Sequence, residues 1–192
     1  MRTGVAYIIL AAGNSSRLGV PKQFLKINGK PLIRVIAEIC DASHPEHLFV
    51  ISGAHHREMK VELEGLTLNL IHNPAWAEGI SASIRLGVHY AAEQKMDAAL
   101  LVTCDQIKIT TKLLNKMVDV YKKDKPPIVC CQYAGRQGIP ALFRHSFFPA
   151  LMDLRGDMGA KALIEKTKDR KWIDFPGGEL DIDEPGDLKL LD

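Results

Sequence analysis

Val5-Ala6-Tyr7-Ile8-Ile9-Leu10-Ala11-Ala12-Gly13-Asn14-Ser15-Ser16-Arg17-Leu18-Gly19-Val20-Pro21-Lys22 is the stretch that decides the fold class. Its first seven residues are nearly all apolar, the composition of a strand buried on both faces. The run ends in small residues and then turns polar. Ala11, Ala12 and Gly13 let a backbone come close to a flat base or a phosphate. Gly13, Asn14, Ser15 and Ser16 offer amides and hydroxyls suited to an anion. Arg17 and Lys22 add two cations, one a planar fork and one a point charge. The spacing is neither G-x-G-x-x-G nor the Walker loop. It suits an anion-binding loop at the end of a buried strand; the alternative is a polar turn carrying two surface cations.

Outward from this stretch, strand-length apolar runs alternate with helical periods. Residues 31–40 place Leu32, Ile33, Val35, Ile36 and Ile39 on one helical stripe, with Pro31 suited to the first turn. Strands are expected over 47–53, 66–71, 98–102 and 128–133. Helices are expected over 55–63, 81–93, 110–122, 159–166 and 185–191. The alternation implies an α/β protein with a mostly parallel sheet covered on both faces. In such sheets ligands sit beyond the carboxyl ends of the strands. The second half is less regular, because Gly138, Pro140, Gly156 and Gly177-Gly178 interrupt the pattern.

Composition removes several function classes. The 192 residues carry 25 Lys and Arg against 23 Asp and Glu, a net charge of +2, so nothing signals a nucleic-acid partner. Hydrophobic residues at 46% place the chain among globular proteins and not disordered ones. One domain is expected, and a chain of this size buries roughly 70% of its unfolded surface without a metal or disulfide staple. The apolar runs fall far short of the ~20 residues of a membrane span, so no membrane partner is expected. No leader-like pattern opens the chain, and a cytoplasmic location is inferred. Cys40, Cys104, Cys130 and Cys131 form no C-x-x-C pair and are expected as buried, reduced thiols. Cys130 and Cys131, adjacent on a strand, should point to opposite faces.

Three further places carry chemistry. Asp105 follows a buried strand, where a carboxylate could meet a magnesium ion carried by a nucleotide, or simply cap a turn. Asp181 and Asp183, two apart on an extended segment, share a face and would repel without a cation nearby; a solvated acidic tail is the other reading. Ser81 and Ser83 open a helix, whose first amides suit an anion. His55-His56, His72 and the charges at 122–125 are expected on solvated or packing faces, and Trp76 either packs or faces a substrate.

The motif L-A-A-G-x-S-x-R-x-G-x-x-K over 10–22 resembles the signature loop of nucleotidyltransferases that activate sugars, isoprenoid precursors and molybdopterin. Asn73-Pro74-Ala75-Trp76-Ala77-Glu78-Gly79-Ile80-Ser81-Ala82-Ser83 resembles a segment of the molybdenum cofactor cytidylyltransferases. So do Gly138-Ile139-Pro140-Ala141-Leu142-Phe143, Leu154-Arg155-Gly156-Asp157-Met158-Gly159-Ala160-Lys161 and Asp181-Ile182-Asp183-Glu184-Pro185-Gly186-Asp187-Leu188. Ile107 departs from the proline that often follows Asp-Gln in that family.

The resemblance implies a three-layer α/β/α Rossmann-like nucleotidyltransferase fold with a mostly parallel mixed sheet. It implies a nucleotide-binding half over about 1–106 and an acceptor-binding half over about 107–192. The implied reaction transfers CMP from CTP to molybdopterin with release of pyrophosphate. Leu10, Ala11, Ala12, Gly13, Ser15, Ser81 and Ser83 would hold the nucleotide. Arg17, Lys22 and Asp105 would serve catalysis. Asp105 and Asp183, with Asp181 beside them, would hold Mg2+. Gly138, Pro140, Gly156, Asp157, Gly159 and Lys161 would meet the acceptor. A molybdenum hydroxylase would receive the product. Two alternatives stay open: transfer to a sugar phosphate or similar phosphorylated acceptor, and a non-catalytic carrier of the cofactor.

Overall fold

A computed structural model describes residues 3–16 and 18–191. A seven-stranded sheet runs in the order β5-β4-β1-β6-β8-β7-β9. β1 (Val5–Ala11) lies inside it, flanked by β4 (His47–Ser52) and β6 (Ala98–Thr103), with β5 (Asn69–His72) outside β4. These four strands are parallel. β8 (Arg136–Arg144) runs against both β6 and β7 (Ile128–Tyr133), and β9 (Arg170–Asp174) closes the edge parallel to β7. The sheet is therefore mixed and mostly parallel. A two-strand hairpin, β2 (Lys26–Ile27) and β3 (Lys30–Pro31), turns on Asn28 and Gly29, both at positive φ.

The apolar alternation of β1 builds two cores. Val5, Tyr7, Ile9 and Ala11 face one layer, and Ala6, Ile8 and Leu10 the other. On the first face lie α1 (Leu32–Asp41), α2 (His56–Glu62) and α4 (Thr111–Asp124), through Ile33, Met59 and Leu114. The second face carries α3 (Ile80–Glu93), α5 (Phe148–Met152) and α6 (Lys161–Lys166), through Ile84, Leu151 and Ile164. The three-layer α/β/α arrangement is as expected. All four cysteines are buried, with Cys131 in the first core and Cys130 in the second.

β8, α5 and β9 were hidden in the sequence. β8 contains Gly138 and Pro140, which look like loop residues. In the fold, the β7–β8 register shifts between Cys130 and Cys131, because Cys130 pairs with Ala141 and Cys131 with Gly138. Ile139 and Pro140 occupy the resulting bulge, where a residue without an N–H is tolerated. α5 is only five residues long and β9 carries mostly polar residues, so neither has a clear period. The expected helix over 185–191 is a 3-10 helix, Pro185–Leu191. No helix among the described residues is long and apolar enough to cross a membrane.

Candidate active site

A cleft of about 500 Å³ opens beyond the carboxyl ends of β1 and β6. One wall is the loop after β1, from Leu10 to Ser16. The opposite wall is the segment entering α3, with Trp76, Ala77, Gly79, Ile80 and Ser83. Thr103, Cys104 and Asp105 come from the end of β6, and Asp183 closes one end. The topology makes this possible: β1 and β6 are parallel neighbours, so their chains leave the sheet side by side.

Lys22 Nζ lies 2.5 Å from Asp105 Oδ2 and 2.7 Å from Asp183 Oδ1. Three residues from the two ends and the middle of the chain thus meet at one point. Burial works to lower the Lys22 pKa, but the Asp105 charge and the hydrogen bonds that the ammonium donates to both carboxylates outweigh it and hold it well above the ordinary lysine value. Lys22 is therefore an ammonium, and it shows that two carboxylate oxygens converge on one cation. That donor set suits a magnesium ion, which takes one or two carboxylates and fills its remaining positions with water and phosphate oxygens. Asp181 is not part of the cleft lining. It pairs across an isolated bridge with Gln106, and its carboxyl is pushed upward by burial and by the charges of Asp105 and Asp183. Among the described residues, no three His, Cys, Asp or Glu side chains group to hold a metal.

The nucleotide-side candidates divide. Leu10, Ala11, Ala12, Gly13 and Ser15 line the cleft, as does Ser83, whose hydroxyl accepts from Asn73 Nδ2 at 3.1 Å. Ser15 takes φ +52°, and its Oγ accepts from the Lys22 N–H at 3.1 Å, folding the loop back on itself. Ser81 is turned away: its N–H donates to Gly156 O at 3.2 Å and its hydroxyl accepts from Arg85 at 3.1 Å. The second amide of α3 is thus committed within the protein. Arg17 lies outside the described residues. Cys104 lines the cleft beside Asp105, but burial pushes its thiol up to about 12, so it is no nucleophile near neutral pH.

Of the six acceptor-side candidates, Asp157 alone lines this cleft. It is brought there by the segment that Arg85 and Ser81 anchor, since Arg85 Nη1 also donates to Leu154 O at 2.8 Å. Gly138 and Pro140 are buried in β8, Gly138 against Tyr133, whose hydroxyl donates to Ile139 O at 3.0 Å. Gly156 and Gly159 flank Asp157, and Lys161 starts α6, 3.7 Å from Glu165.

Two glutamines that the sequence did not single out organise the site. Gln106 donates from Nε2 to Ile139 O at 3.0 Å and to Gly178 O at 2.8 Å. Together with Ile182 N–H donating to Asp105 O at 3.3 Å, this draws the C-terminal segment across the end of β6 and delivers Asp183. Gln23 lies beneath the β1 loop. The only signals for them were position, next to Asp105 and next to Lys22. His56 meets His72 with ring centroids 4.9 Å apart and bonds Ser52 through Nδ1 at 2.7 Å, so it packs locally at the ends of β4 and β5.

A Rossmann-like sheet, a small-residue loop after its first strand and a carboxylate at the end of the neighbouring strand β6 define a nucleotide-binding transferase class. The chain belongs to the family described as MobA-like NTP transferase domain, which matches residues 7–171, and it is a nucleotidyltransferase of that family. The Bacillus subtilis (strain 168) purine catabolism protein PucB is 25% identical over 96% of this chain and 94% of its own length. The crystal structure of Rv0371c from Mycobacterium tuberculosis H37Rv superposes with a TM-score of 0.84 at 24% identity, covering 100% of this chain and 98% of that one. A second structure of that protein is a complex with manganese, with a TM-score of 0.80 at 22% identity and 98% coverage of each chain. CMP:2-keto-3-deoxy-manno-octonic acid synthetase, complexed with CTP, shares the fold at a TM-score of 0.77 and 13% identity, over 98% of this chain and 97% of its own.

Proposed function

We propose that this protein transfers the cytidylyl group of CTP to the terminal phosphate of a molybdopterin. A phosphate oxygen of the acceptor attacks the α-phosphorus, and the bond to the bridging oxygen breaks. Pyrophosphate leaves with that oxygen and its electron pair. A phosphate nucleophile is already anionic at neutral pH, so no general base is needed, and positioning with charge neutralisation carries the rate. The observation that carries this reading is the convergence of Lys22, Asp105 and Asp183 at one end of a cleft whose walls are the β1 loop and the entry to α3.

Asp105 and Asp183 would hold a magnesium ion that neutralises triphosphate charge. Lys22 would then turn from the carboxylates to the phosphates, and Arg17 would add a second cation. Preference for cytosine over a purine belongs to the same proposal, and it rests on the Ala12 methyl, at a residue lining the cleft, leaving less room for the larger base. Asp157, flanked by Gly156 and Gly159, would face the acceptor from the rim of the same cleft, with Lys161 nearby for its phosphate.

Purified protein with magnesium, CTP and molybdopterin should release pyrophosphate, with GTP and ATP poor substitutes. Release that ignores molybdopterin but responds to a sugar phosphate would reassign the acceptor. The Asp105→Asn variant should lose at least about 100-fold in turnover, the scale of removing one preorganised electrostatic group, while its melting temperature stays near wild type. Undiminished turnover would remove Asp105 from the metal site.

A further inference from the structure

Gln23 is 1% exposed, in the 3-10 turn Lys22–Phe24 directly after Lys22. Its Nε2 donates to Gly13 O at 2.5 Å and to Ala11 O at 3.1 Å. Its Oε1 is buried and, among the described residues, has no partner. A buried acceptor left unpaired is destabilising. An apolar side chain of the same shape would avoid that cost, so the value of an amide here lies in its two donor bonds.

Those bonds orient the loop. A trans peptide is planar, with its C=O and N–H pointing in opposite directions. The Gly13 carbonyl faces down onto the buried Gln23, so the N–H of the same peptide, belonging to Asn14, faces up. Gly13 and Asn14 are exposed and line the cleft, so the upward side is the ligand side. Among the described residues the Asn14 N–H has no acceptor. Lys22, one residue before Gln23, contributes its own N–H to Ser15 Oγ from below, so the loop is held from beneath at three oxygens: Ala11 O, Gly13 O and Ser15 Oγ.

We infer that Gln23 is a positioning residue for the triphosphate of the nucleotide: by clamping Ala11 O and Gly13 O it aims the Asn14 amide at a phosphate oxygen. The inference rests on the nucleotidyl-transfer reading for its ligand, and it concerns no group that reacts. A carboxylate at this position would set two anionic oxygens against two carbonyls, and a methionine would fill the space with no donor.

The test is Gln23→Met. Its KM for CTP should rise tenfold or more while kcat and the KM for the acceptor stay within threefold of wild type. A purely structural role predicts a lower melting temperature with the CTP KM unchanged, or both KM values rising together; either result overturns the inference. Should the variant fail to fold, the wild-type protein decides. In a 15N-labelled sample, added inorganic tripolyphosphate should shift the Asn14 amide resonance with a saturable dose response, and an unmoved resonance overturns the assignment. That titration needs no turnover. A wild-type protein that shifts with tripolyphosphate but never releases pyrophosphate therefore sinks the transferase reading and spares the clamp.

Discussion

Gly79 adopts φ +103°, and a Cβ built on it would stand 2.4 Å from Asp157 Oδ1 and 2.6 Å from Gly156 O. Both the backbone conformation and the close approach exclude a side chain. Gly79→Ala should therefore cost about 1–3 kcal/mol from the backbone alone, with a further loss as the 156–157 backbone retreats. Urea unfolding of the purified variant measures it; a change below 0.5 kcal/mol, the ordinary surface range, would mean the segment yields freely. At this scale the sequence was partly readable. Small residues after a buried strand announced the loop from 10 to 16, and a carboxylate after β6 announced Asp105. The placement of Ser81 was less legible, because an N-terminal helix amide looks free until the partner that caps it, Gly156 O, is known. Gln23 and Gln106 gave no local signal, since an amide's role depends on carbonyls that fold beside it.

Between elements, the end of β6 acts as a junction. Gln106 ties it to the bulge of β8 through Ile139 O and to the C-terminal segment through Gly178 O, while Thr103 Oγ1 donates to Gln106 Oε1 at 3.3 Å. Gln106→Leu removes these bonds at a site 7% exposed. Unfolding free energy should fall by about 1–3 kcal/mol, the cost of leaving Gly178 O unpaired, since Ile139 O keeps its bond from the Tyr133 hydroxyl. Turnover should fall further than stability explains, because Asp183 loses its tether. Equal activity at saturating substrate, after correction for the folded fraction, would show that Asp183 holds its place without Gln106. The elements with a strong period were legible: β1, α1, β4, α3, β6, α4 and β7 lie where the apolar pattern puts them. β8 was not, because its bulge is made of the residue types that elsewhere end a strand. The β2–β3 hairpin carried a readable Asn-Gly signal, but its strands are two residues each and show no alternation.

On the scale of the whole molecule, the sheet is complete at Asp174, yet the site is not. Residues after β9 add Ile182 to a small cluster with Leu18 and Leu32, and they supply Asp183. A chain ending at Gly177 should keep a near-native far-ultraviolet circular dichroism spectrum and melt several degrees lower, as a loss of about 1–2 kcal/mol does in a domain of this size. It should release no pyrophosphate; residual turnover above a tenth of wild type would show that one carboxylate suffices. The Lys22 ammonium is held by partners 83 and 161 residues away. During synthesis Lys22 of the loop after β1 is therefore made 161 residues ahead of Asp183. The Lys22–Asp183 contact can close only after that later segment has left the ribosome, and under the proposed reading a nascent chain gains activity no earlier than that.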